Sequence, residues 1–211
     1  MTTYKLMGVL LAAVFILATT ASISAQSTTP QQAEVKEQDE TNLDTQLYLI
    51  VGTNQVVPEE KLPASLDSVV KQLRTSLPFK SYRLAATLIN RVKNDGRLDL
   101  SWIGGPLAAG GANSVVTPSF SQFKVRQVRL TRNATGDQMV QMAGFNFGAR
   151  IPIQTGAVAG VGGVPATNYE TTGLSTDISI REGEPVIVGT LNIGPSGDAI
   201  ILVVSAKRTA R

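Results

Sequence analysis

The 211-residue chain carries neither cysteine nor histidine, and 19 Lys and Arg stand against 16 Asp and Glu. Without imidazole or thiolate, a Ser-His-Asp triad, a thiol nucleophile and the usual zinc sites are excluded, which leaves carboxylate, lysine, serine or tyrosine chemistry. A formal charge of +3 is too small to imply nucleic acid as a partner.

Lys5 precedes an apolar and small-residue run from Leu6 to Ala18, and Thr19 to Ala25 follow as a mostly small-residue exit. That is the order of a secretory signal peptide. The run covers 13 residues, short of the roughly 20 that a spanning helix needs. Residues 1–25 are therefore expected to be a signal peptide cleaved after Ala25, with no integral membrane span afterwards. No cysteine follows the run, so a lipid anchor of the bacterial lipoprotein kind has no attachment residue. An exported chain without disulfides relies on its core alone, which suits a bacterial envelope, in the periplasm or associated with the outer membrane.

Residues 26–45 are polar, with almost nothing to bury, and are expected to be a disordered linker. The acids Glu34, Glu37, Asp39, Glu40 and Asp44 and the bases Lys207, Arg208 and Arg211 read as solvated ends. Residues 46–211 are expected to form a single β-rich α+β domain. Leu47 to Val51, closed by Gly52, reads as a buried strand. After Pro58 and Pro63, Ser65 stands at an N-cap position. Leu66, Val69, Val70, Leu73 and Leu77 then recur at helical spacing before Pro78, which predicts one amphipathic helix with a face for a sheet.

Beyond Pro78 the period changes to two. Tyr82, Leu84, Ala86, Leu88 and Val92 alternate with polar residues, Asn94-Asp95-Gly96 supplies turn chemistry, and Leu98, Leu100 and Trp102 resume the alternation, so a hairpin is expected. A glycine-rich stretch over 104–118 leads to a second hairpin, Phe120 to Arg132 with Gln138 to Phe147, around Asn133-Ala134-Thr135-Gly136, and Ile151 and Ile153 prolong the run. A second glycine-rich loop covers 156–165. Leu174, Ile178 and Ile180 then alternate with polar residues, and the chain turns at Arg181 to Glu184 and returns over Val186 to Leu191. It turns again at Gly194 to Gly197 and ends on the wholly apolar Ala199 to Val204, a strand expected in mid-sheet. The sum is an α+β, β-rich chain, one amphipathic helix followed by antiparallel strands and hairpins.

No catalytic constellation emerges. Ser68-Val69-Val70-Lys71 matches S-x-x-K, but the companion S-D-N and K-T-G elements are absent and both residues fall on the polar side of the helix. The pairs Glu59-Glu60 and Glu182/Glu184 read as soluble loop and turn residues rather than glycosidase acids. Gly156, Gly160, Gly162 and Gly163 lack the Lys-Ser or Lys-Thr of a phosphate loop. Asn94, Asp95 and Asp99 lack the dense spacing of a calcium loop. No enzyme activity and no cofactor are expected. Trp102 and Tyr169 remain as candidate binding residues, with core or hairpin packing as the alternative for each.

Gly148-Ala149-Arg150-Ile151-Pro152-Ile153, then Asn168-Tyr169-Glu170 with Gly173-Leu174, then Ile180 to Leu191 follow one another in the order found at the end of bacterial secretins. This third of the chain resembles those outer-membrane ring proteins of type II secretion and type IV pilus systems. Gly189-Thr190 stands where the family usually has a double glycine, and the length does not hold the family's ring domains and gate. The resemblance implies a truncated or secretin-associated component acting through protein contacts, with an envelope protein partner or self-assembly. The alternative is a periplasmic module that binds a small ligand or glycan, with the two glycine-rich loops as its mouth.

Overall fold

The computed structural model describes residues 41–55, 61–105, 107, 117–154, 167–194 and 197–209. Strand β1 covers Asn42–Thr53, and a 3₁₀ turn at Ala64–Leu66 runs into helix α1, Asp67–Ser76. Strands β2 (Ser81–Lys93), β3 (Gly96–Gly104), β4 (Ser119–Arg132), β5 (Gln138–Gln154), β6 (Thr167–Arg181), β7 (Val186–Ile193) and β8 (Asp198–Arg208) follow. They form two four-stranded antiparallel sheets, ordered β2-β1-β8-β7 and β3-β4-β5-β6. The chain is thus β-rich with one short helix, as its period pattern predicts, and all described residues fall in one compact unit, Asp39–Arg211. No described helix is long and apolar enough to cross a membrane, which says nothing of strands.

The sheets face each other across the main core. Leu43, Leu47 and Leu49 of β1 and Ile200, Leu202 and Val204 of β8 meet Phe123 and Val125 of β4 and Phe145, Phe147 and Ile151 of β5. The other side of β1 and β8 is apolar too, because α1 covers it: Tyr48, Ile50, Ile201 and Val203 pack on Leu66, Val69 and Leu73. Two apolar faces require a central strand, and β8 is central. Residues 1–25, expected to be a signal peptide, and the glycine-rich stretch 156–165 lie outside the described residues, as does most of 104–118.

Four sequence expectations are corrected. First, β1 begins at Asn42, so Asn42 to Thr45 belong to the sheet and not to a linker; Leu43 pairs with Val92 and Arg208 and is buried. Second, Asp44 and Arg208 are not free solvated ends, since Asp44 accepts from Arg91 at 2.8 Å and Glu182 from Arg208 at 3.0 Å.

Third, Ser65 does not cap the helix. Pro63 fixes the entry by accepting the Leu66 N–H at 2.9 Å, and the 3₁₀ turn puts Leu66 at the cap of α1 with no side-chain cap bond. Fourth, the expected hairpin β2/β3 and the β6/β7 reversal are turns without pairing, because the two strands of each belong to different sheets. The turn donors go elsewhere. Asn94 N–H donates to Thr41 O and Asp95 N–H to Val128 O, while Glu182 N–H donates to Gln138 O and Gly183 N–H to Ala206 O. Each turn thereby ties one sheet to the other. The hairpins β4/β5 and β7/β8 pair as expected.

Bulges decide which residues reach which core. On β2, Leu49 pairs with Ala86 and Ile50 with Leu84, leaving Ala85 unmatched. The sequence alternation continues unbroken, but the extra residue flips the faces: Tyr82 and Leu84 pack toward α1, whereas Ala86, Leu88 and Val92 face the second sheet. On β5 the same happens at Gly144 (φ 63°), whose N–H donates to the Asp177 carboxylate, so the inward set changes from Val140 and Met142 to Phe145, Phe147 and Ala149.

Candidate functional site

The outer face of the second sheet carries three of the four exposed large hydrophobics among the described residues: Ile103 at 69%, Phe120 at 41% and Tyr169 at 37% exposure. Strand register brings them together. Ile103 lies opposite Phe120, Phe120 opposite Arg150, and Arg150 opposite Thr171, forming one row across β3, β4, β5 and β6. The next row toward the middle of the sheet is Ser101, Gln122, Gly148 and Gly173, and beyond it lies Asp99, Lys124, Asn146 and Ser175. Residues two apart on a strand share a face, and the first two rows line one trough through Ile103, Phe120, Arg150 and Thr171 on one side and Ser101, Gln122 and Gly148 of the floor row on the other. Its volume is about 460 Å³, within the ordinary range of ligand sites.

The floor is low because two of its four positions lack side chains. A Cβ on Gly148 would meet nothing within 4 Å, so the space above it is open. A Cβ on Gly173 would stand 2.7 Å from the Phe147 carbonyl oxygen, so the backbone there admits only glycine without moving. One wall is apolar and cationic. Tyr169 and Phe120 contact with centroids 5.7 Å apart, and the Arg150 guanidinium sits 5.6 Å from the Tyr169 ring centroid. Tyr169 donates its hydroxyl to Pro118 O at 3.1 Å, which fixes the ring. In the row beyond the trough Lys124 lies 3.1 Å from Asp99. Arg150, by contrast, has no carboxylate within ion-pairing distance among the described residues.

The two candidate binding residues lie on opposite sides of this sheet. Tyr169 is on the outer face, against Phe120 and Arg150. Trp102 packs from β3 toward the inter-sheet core, with its ring centroid 6.4 Å from that of Phe147, although it also contributes to the trough lining. The first two secretin-like segments meet here, since Arg150 pairs with Thr171 and Pro152 with Tyr169. Phe120, Ile103 and Gly148 were not legible as site residues.

Beside the trough, β6 is the last strand of its sheet and pairs only with β5 among the described residues. From Tyr169 to Thr171 the side chains on both of its faces are exposed. The other sequence candidates are not assembled into chemistry. Ser68 and Lys71 are exposed on the helix, away from its buried face. Glu182 is engaged by Arg208, whose hydrogen bond holds its carboxyl below the usual range despite partial burial, so it is not poised as an acid. Glu184 is exposed in the turn, and Glu59-Glu60 lie outside the described residues. Asp95 accepts from Arg129 at 2.6 Å and Asp99 pairs with Lys124; no group of three acidic or metal-binding side chains occurs among the described residues.

No protein-family model matches the sequence, and no curated protein matches it. Among solved structures the chain is similar to the Salmonella SPI-1 type III secretion injectisome secretin InvG, at 10% identity over 81% of this chain and 65% of that one, with a TM-score of 0.33. It is also similar to PulD in the Klebsiella pneumoniae type II secretion outer membrane complex, at 11% identity over 81% and 39%, TM-score 0.33. For the V. cholerae type IV competence pilus secretin PilQ the figures are 10% identity, 81% and 58%, and TM-score 0.31. The chain spans less than two thirds of the length of each. The resemblance to secretins is present and weak.

Proposed function

We propose that this is an exported envelope component that works through protein contacts, as part of a secretin-like secretion or pilus assembly, and that it is not an enzyme. The outer edge of β6, which has no partner strand among the described residues, carries the reading. A strand edge presents backbone N–H and C=O groups to which a second strand can add. Natural edges are usually blunted by proline, lysine or a covering segment, and residues 169–173, Tyr-Glu-Thr-Thr-Gly, contain neither proline nor lysine. The partner strand comes from another copy or from an envelope protein. The order of the motif segments ending at Leu191 supports the secretin-like form of the assembly, and the apolar leader at residues 6–18 supports export.

Neighbouring N–H groups on a strand point to opposite sides. Of the pair Glu170→Pro and Thr171→Pro, one therefore removes a bond to β5 and the other removes only the outward donor. The outward variant is expected to keep its circular dichroism spectrum while losing assembly in cross-linking and native mass measurements. Assembly retained by both folded variants would refute the use of this edge.

A further inference from the structure

We propose that the trough on the second sheet binds an acidic oligosaccharide, with Arg150 taking its carboxylate. This does not rest on how the β6 edge is used.

The trough is two-natured. Phe120 and Ile103 offer apolar surface on one wall, with Tyr169 beside Phe120 and Arg150, while Ser101, Gln122 and Thr171 offer hydroxyl and amide groups on the floor and rim. A wholly apolar ligand would strip water from those polar groups without replacing their hydrogen bonds, which is costly. A small inorganic ion would leave the aromatic wall in water. A pyranose has both an apolar C–H face, suited to Phe120 and Tyr169, and a rim of hydroxyls suited to Gln122 and Ser101.

Direction argues the same way. The trough runs across the strands, and adjacent strands lie about 4.8 Å apart, so four of them give a floor about 14 Å long. The main-chain groups of β4 and β5 beneath it are already used within the sheet. An extended peptide lying across them has no backbone groups to pair with, in contrast to one added at the edge. An oligosaccharide needs none, because its contacts are to side chains.

Charge supplies the acidic preference. Lys124 is matched by Asp99, whereas Arg150 is held over Tyr169 with no carboxylate partner among the described residues. A planar guanidinium in that position is suited to bidentate binding of a carboxylate.

Gly148 provides the test. A side chain there enters open space, so Gly148→Leu fills the trough without pressing on the fold. Calorimetric titration with a short oligouronate, at physiological salt, is expected to show binding by the wild type and at least tenfold weaker binding by a neutral oligoglucose of equal length. Gly148→Leu should lose at least tenfold in affinity with an unchanged thermal midpoint, and Arg150→Gln should lose the preference for the acidic chain. Arg150→Gln carries the test by itself if Gly148→Leu fails to fold. The proposal is overturned if the wild type does not bind oligouronate, or if binding is undiminished in both variants, which would mark diffuse charge attraction. It is equally overturned if oligoglutamate of the same charge binds in a Gly148-dependent way and oligouronate does not, which would make the trough a peptide site.

Discussion

At the residue scale, glycines and paired acids do most to shape the molecule's usable surface. Gly173 has the Phe147 carbonyl oxygen 2.7 Å from where a Cβ would be, so Gly173→Ala must push β5 and β6 apart. A loss of about 1–3 kcal/mol is expected, as for other overpacked sites, read by urea unfolding. Gly148, one strand away in the same row, should tolerate the same change. Glu182 anchors the β6/β7 turn to β8 by accepting both the backbone N–H of Arg208 at 2.8 Å and its guanidinium. Its lowered pKa means that this contribution is complete above the ordinary glutamate range and fades as pH falls through the folded value. Because Arg208 is half exposed, Glu182→Gln is expected to cost only about 1 kcal/mol at pH 7. The gap between wild type and variant should close in strongly acid solution, and a gap independent of pH would contradict the ion pair as its cause.

At the element scale, the bulge on β2 lets one strand serve two cores. Deleting Ala85 makes Leu84 and Ala86 neighbours, opposite Ile50 and Leu49 in regular pairing, so Tyr82 and Leu84 still face the helix and Ala86, Leu88 and Val92 still face the second sheet. The deletion should therefore cost less than Leu73→Ala, for which truncation of a buried leucine predicts about 2–5 kcal/mol; thermal or urea unfolding of the two side by side checks the order. The same bulge explains what was legible in the sequence. Element type was readable wherever burial on one or two faces dictates the pattern: Leu66, Val69 and Leu73 mark the helix, and Ala199 to Val204 mark a strand covered on both faces. Pairing was not, because Asn94-Asp95-Gly96 encodes a reversal without saying which strands take up its donors. The trough was hidden for a related reason. Ile103, Phe120, Arg150 and Thr171 become neighbours only through the register of four strands, and the one local signal was a pair of glycines, Gly148 and Gly173, within alternating runs. Trp102 and Tyr169 both stood out only as scarce aromatics; strand register puts Tyr169 on the outer face, whereas Trp102 packs inward against Phe147.

At the scale of the whole molecule, two sheets are tied at their turns and closed on one side by a helix, leaving the outer face of the second sheet and the edge of β6 for contact. Under the two proposals the edge serves protein association and the face serves the glycan, so Gly148→Leu should weaken sugar binding while leaving assembly intact. The most direct test of the central claim, action through protein contacts in the envelope, is to fractionate the native host's envelope and determine the intact mass of the protein under mild detergent. A large, detergent-stable assembly in the outer-membrane fraction is the predicted result. A free monomer in the periplasmic fraction, with no partner retained, would contradict it.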